Sequence, residues 1–148
     1  MARSPRGRLA VRYRIECDLE RLCLPAPRTP APGERLWQHT CCEIFVARAG
    51  MLPYREFNFS PSGEWAAYAC RRYRECAPFS IEDPEISLTR SPDRLELQAS
   101  IPADDGGLRV ALSAVIEDRA GSLTYWALRH PAGKPDFHHP DAFALELD

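Results

Sequence analysis

The chain has 148 residues, 45% of them hydrophobic and 27% charged, which is enough for one compact domain with its own core and too little for two. Nineteen Lys and Arg against twenty-one Asp and Glu leave a net charge of -2, with no basic excess to hold a phosphate backbone, so nucleic acid is not an expected partner. No apolar stretch approaches the ~18 residues that span a bilayer, so a membrane is not expected either.

The first 35 residues carry eight Arg against four acids, yet LAVRYRIE (9–16) is interrupted by charges and cannot be the apolar core of a secretory leader. The expected location is therefore cytoplasmic. The six cysteines, at 17, 23, 41, 42, 70 and 76, form no CxxC pair and are expected as reduced, mostly buried thiols.

Fourteen prolines leave few windows for an uninterrupted helix, and most windows between them alternate with period two. Leu9, Val11, Tyr13 and Ile15 share one side and Arg12, Arg14 and Glu16 the other, as in a half-buried strand. Residues 25–33, with four prolines, read as an exposed loop. Short strands are predicted at 43–48, 54–59 and 86–89. Residues 64–75 have helical propensity, but Pro61-Ser62-Gly63 looks like a turn between paired strands and argues for a strand there. Leu95, Leu97, Ala99 and Ile101 alternate with polar residues, and after the 104–107 turn Leu108, Val110, Leu112, Ala114 and Ile116 continue the rhythm, which predicts a hairpin. A turn at 119–122 leads into a strand at 123–130, and a last strand is predicted at 143–147. The sum is an all-β protein, an antiparallel sandwich of two packed sheets.

Three stretches carry a resemblance: LWQHTCCEIFVA (36–47), YREFNFSPSGEWAAYACRRYRE (54–75) and GKPDFHHPDAFALEL (133–147). Their order, a Trp, a Glu six residues on within an apolar strand, a Tyr-rich strand at a Pro-x-Gly turn and a Phe-Ala-Leu-x-Leu last strand, resembles the bacterial DOMON-like proteins, which are similar to type 9 carbohydrate-binding modules. The resemblance covers nearly the whole chain and implies a single β-sandwich domain of jelly-roll character that holds a saccharide or similar polar small molecule. In such modules two aromatic rings clamp a sugar while charged and amide side chains take its hydroxyls. Trp37 matches the motif Trp and Glu43 the acid. Phe143 stands at the second aromatic position, with Trp126 as another source of a ring, and Asn58 and Arg71 lie in the motif neighbourhood.

Each residue also has a plainer reading. Trp37 could stack on a sugar face or plug one end of the sandwich. Glu43, in an apolar run, needs a partner, and Arg71, Arg72 or Arg74 could supply one, in a ligand site or a purely structural ion pair. Tyr54, Glu56 and Asn58 share one strand face, which lines a polar groove or meets solvent. His138 and His139 are adjacent, point to opposite sides on a strand and so do not read as a metal-chelating pair, but the segment 134–141 is dense in hydrogen-bonding groups held by two prolines. There is no GxSxG, HExxH, phosphate-binding Gly loop or DxDxDG run, so a non-enzymatic binding module is expected. The resemblance also raises haem, for which Met51 is the only internal methionine, and an interaction domain with a protein partner is a third reading.

Overall fold

The computed structural model describes residues 2–4, 7–82 and 84–148. Its strands are β1 (Ala2–Ser4), β2 (Arg8–Glu16), β3 (Ala31–Pro32), β4 (Cys41–Arg48), β5 (Tyr54–Phe59), β6 (Glu64–Arg72), β7 (Glu75–Pro78), β8 (Glu85–Ser91), β9 (Arg94–Pro102), β10 (Leu108–Glu117), β11 (Leu123–Ala127) and β12 (Leu145–Leu147). They form a sandwich. The smaller sheet has the order β1-β2-β9-β8; the larger has β11-β10-β4-β5-β6-β3, with β12 on β10 and β7 on β6. Every pairing is antiparallel except β3 with β6. No helix among the described residues is long and apolar enough to cross a membrane.

Alternation decides which sides meet. Leu9 and Val11 of β2 and Leu97, Ala99 and Ile101 of β9 pack against Cys42, Ile44, Val46, Phe57, Phe59 and Trp65 of the larger sheet. The outward side of the small sheet carries charge, with Glu96 bridging Arg12 and Arg14 at 3.4 and 3.3 Å. Strand β4 does not alternate because it is central and covered on both faces, so all residues from Cys41 to Ala47 are buried.

Four strand expectations are corrected. β9 and β10 are not a hairpin: β9 pairs with β2 and β8, and β10 with β4, β11 and β12. Each has one apolar side, and the link between them crosses from one sheet to the other so that these sides face each other across the core. The hairpin is instead β8–β9, registered from Glu85 opposite Ser100 to Ser91 opposite Arg94. Residues 64–75 are not one strand, because Arg74 turns the chain at φ 57° and begins the β6–β7 pair. The strand predicted at 123–130 stops at Ala127, and that at 143–147 begins at Leu145.

The turn at 61–63 is present. Gly63 adopts φ 96°, and a Cβ there would stand 2.9 Å from the Arg28 carbonyl, so the tight approach of the proline-rich loop requires glycine. That loop is tied down by a bond from Arg28 N–H to the Ser62 carbonyl.

The expectation of six reduced thiols is also corrected. Cys70 and Cys76 stand directly opposite each other on β6 and β7 and are joined as a disulfide, while Cys17, Cys23, Cys41 and Cys42 are free. The two-residue turn at 73–74 brings this pair into register, a consequence of strand pairing that spacing alone does not reveal.

Candidate functional site

The face of the larger sheet turned away from the small one carries the site. Register across β10, β4, β5 and β6 aligns Ser113, Glu43, Asn58 and Ala66 in one row, and Ala111, Phe45, Glu56 and Tyr68 in the next. Part of this face is covered. Phe137, Ala142 and Phe143, from the segment after β11, pack on Phe45, Ala47, Tyr54 and Ala111. The rest opens into a cavity of about 470 Å3, with Val115, Glu43, Glu56 and Tyr68 on its floor and sides. Below the floor, Tyr13 of the small sheet donates a hydrogen bond to the Glu43 carbonyl and ties the two sheets together.

Aromatic rings stand at the mouth. Trp37 lies in a single 3-10 turn, Leu36–Gln38, entered through Arg35 at φ 51°. Leu36 is buried with Cys41 and Ala66 and anchors the turn, which leaves Trp37 43% exposed and edge-on to Tyr68 at 6.1 Å between centroids. On the other side, Tyr125 of β11 is 46% exposed and edge-on to Phe137 at 6.0 Å.

The segment 135–138 forms another wall. Asp136 accepts from the Arg74 guanidinium at 2.8 Å, from the Tyr73 hydroxyl and from the backbone N–H of His138 at 3.1 Å. His138 is held by an Nδ1 contact of 2.7 Å with the Tyr54 hydroxyl and by its ring against Phe45 at 5.0 Å.

Burial sets the charge of this cavity. Glu43 has no ion pair among the described residues, contrary to the expected arginine; burial, with the Glu56 carboxylate nearby, pushes its pKa up to about 8, so it carries a proton at neutral pH. Arg74, the best placed of the arginines, is bound to Asp136 instead. Glu56 is raised to about 7 by burial, opposed by Asn58 and Arg74. Burial, aided by the Arg74 charge, lowers His138 to about 4 and keeps its imidazole neutral. The floor is therefore rich in hydrogen-bonding groups and poor in net charge. Ser113 Oγ and both amide atoms of Asn58, flanking Glu43, are buried without a hydrogen bond of regular geometry, although Asn58 lies close enough to Glu56 to favour its ionised form.

Of the residues singled out in sequence, Trp37, Glu43 and His138 line this cavity, with Tyr54 behind His138 and Asn58 buried beside Glu43. The others are placed elsewhere. Arg71 is exposed and pairs with Glu75 at 3.3 Å. Trp126 stands beside Ala114, on the opposite face of the sheet from Tyr125, and its indole N–H bonds Thr124. Phe143 is buried against Phe45 and Tyr54, beneath the site rather than in it. His139 Nδ1 accepts from the Asp141 N–H and caps the short turn Pro140–Ala142. Met51 lines a different cavity, one with no histidine among its lining residues, so Met51 and His138 do not form an axial pair for haem.

Sequence reasoning did not single out Tyr68 or Tyr125, and it offered Arg74 only as a partner for Glu43 and Asp136 only within the segment 134–141. Of the aromatics on β11 the sequence offered Trp126, whereas the pairing with β10 puts Trp126 on the opposite face and Tyr125 at the cavity.

No protein-family model matches the chain, and no curated protein matches it significantly. Among solved structures, the chain is similar to a protein of Bacteroides uniformis ATCC 8492, described as "a putative carbohydrate-binding protein". The TM-score is 0.54 at 17% identity, over 92% of this chain and 69% of that one. The likeness is one of fold.

Proposed function

We propose that the chain is a saccharide-binding module of the DOMON-like type, one domain that holds a sugar or similar polyol non-covalently and performs no reaction on it. The observation that carries this reading is the pair of buried acids Glu43 and Glu56, without an arginine partner among the described residues, on the floor of a cavity rimmed by Trp37 and Tyr125. Burying a carboxyl group without a partner is costly, and a hydroxyl-rich ligand that bonds Glu43 from the cavity returns part of that cost. Its C–H faces suit aromatic rings. A protonated Glu43 donates as well as accepts, which suits a hydroxyl, itself both donor and acceptor. The Bacteroides fold likeness and the motif order at 36–47 and 54–75 support the same reading.

Calorimetry and a glycan array test it. Binding should change tryptophan fluorescence and depend little on salt, because a neutral ligand releases few counterions. Trp37→Ala should weaken binding at least about tenfold, or 1.4 kcal/mol, with the fold retained. No array signal above background for the wild-type protein would remove the saccharide reading.

A further inference from the structure

At one end of the cavity four potential metal ligands converge from distant parts of the chain. A carboxylate oxygen of Glu56, a ring nitrogen of His138 and the sulfurs of Cys70 and Cys76 all lie within 4.8 Å of one another. Two further contacts match what a zinc-ligating histidine requires. The Nε2 of His138 faces the Glu56 carboxylate at 3.5 Å, and its Nδ1 meets the Tyr54 hydroxyl at 2.7 Å, which fixes the ring and leaves Nε2 as the ligating atom. Glu56 and the cysteine pair are carried by adjacent strands of one sheet, so three of the four donors sit on rigid backbone.

We propose that reduction of the Cys70–Cys76 disulfide converts this cluster into a tetrahedral zinc site with two thiolates, the His138 imidazole and the Glu56 carboxylate as ligands. The proposal is independent of the saccharide reading. A small dithiol supplies the two electrons: the Cys70–Cys76 bond breaks, the reductant closes its own disulfide, and its two protons pass to the cysteines as thiols. Zn2+ then displaces both thiol protons to solvent, along with any proton on Glu56, and takes neutral His138 as its nitrogen ligand. Two soft sulfurs with one nitrogen and one oxygen select zinc over magnesium or calcium. Zinc bonds of about 2.0–2.3 Å put tetrahedral donors roughly 3.4–3.8 Å apart. Donors already within 4.8 Å reach that arrangement by shifts of about 1 Å once the sulfurs have separated. The disulfide thus acts as a lock, and a reducing environment opens the site. Because Glu56, Cys76 and His138 all line the cavity, zinc would take its polar end out of use for any other ligand.

The test uses the full chain with Cys17→Ser and Cys23→Ser, which removes the two exposed free thiols. Oxidised and dithiol-reduced protein are titrated anaerobically with Zn2+ against a chromophoric chelator, and with Co2+ as a spectroscopic reporter. The reduced protein should bind one metal per chain at least about a hundredfold more tightly than the oxidised one. Its cobalt form should show thiolate charge-transfer bands and tetrahedral visible bands. His138→Gln and Glu56→Gln should each weaken the reduced site about ten- to a hundredfold, and Cys76→Ser should remove most of the charge-transfer intensity. Circular dichroism checks the fold of each form. Equal affinity before and after reduction, a cobalt spectrum without tetrahedral bands, or affinity unchanged in both His138→Gln and Glu56→Gln would overturn the proposal. So would unfolding on reduction that Co2+ does not reverse.

Discussion

On β4 and β5 the buried side chains facing the small sheet are Cys42, Ile44, Val46, Phe57 and Phe59, whereas those on the opposite face are Cys41, Glu43, Phe45, Ala47, Tyr54, Glu56 and Asn58; none of the twelve is more than 8% exposed. Equal burial has been put to different use. The first face is a packed apolar core whose partners come from β2 and β9. The second buries two carboxyl groups and an amide, at a cost a stability-driven sheet would avoid. The costly face is the one to which the proposed function assigns binding.

The largest expected effect lies on the apolar side. Phe57→Ala should lower unfolding free energy by about 3–5 kcal/mol, read from denaturant midpoints, and should affect any ligand only through the fold. A loss below about 1 kcal/mol would show that the two faces are not so different.

The next effect is in pH. Glu43 is raised from 4.5 to about 8 in the folded chain, so its contribution to stability is whole below about pH 4.5 and is lost as pH rises through 8. His138 is lowered from 6.5 to about 4, so its contribution is whole above 6.5 and is lost as pH falls through 4. Glu43→Gln should therefore reduce the decline in stability between about pH 5 and about pH 9, leaving the share that comes from Glu56, raised to about 7, and the acid side unchanged. A decline of the same size in the variant would place the titrating group elsewhere.

The smallest effect sharpens the contrast. Ser113→Ala removes a buried hydroxyl that has no regular partner, so stability should stay within about 0.5 kcal/mol or rise slightly. Ser113 lies beside Glu43 but outside the cavity lining, so ligand affinity should change far less than in Trp37→Ala. A large loss of stability would reveal a structural bond at this hydroxyl.

Much of this was legible in the chain. The period-two runs at Leu9 to Glu16 and Leu95 to Ile101 mark strands and the sides they bury, because alternation is a property of the strand itself. The shared side of Tyr54, Glu56 and Asn58 pointed to the polar face of β5, and Trp37 and Glu43 were found through motif order. The partner expected for Glu43 was wrong because sequence suggests an ion pair wherever an acid meets an apolar run, whereas an isolated buried carboxyl can keep its proton.

What the sequence by itself determined, then, is local: strand positions, their apolar sides, and the tight turn at Gly63. Tertiary structure decided everything that depends on which strand lies next to which. It set β9 and β10 in different sheets, turned Tyr125 toward the cavity and Trp126 away from it, and registered Cys70 against Cys76. It also carried His138 to Glu56, 82 positions earlier in the chain. The physical reason is that alternation fixes only the two sides of a strand, while neighbours are selected by the packing of all strands together, a choice no short window contains.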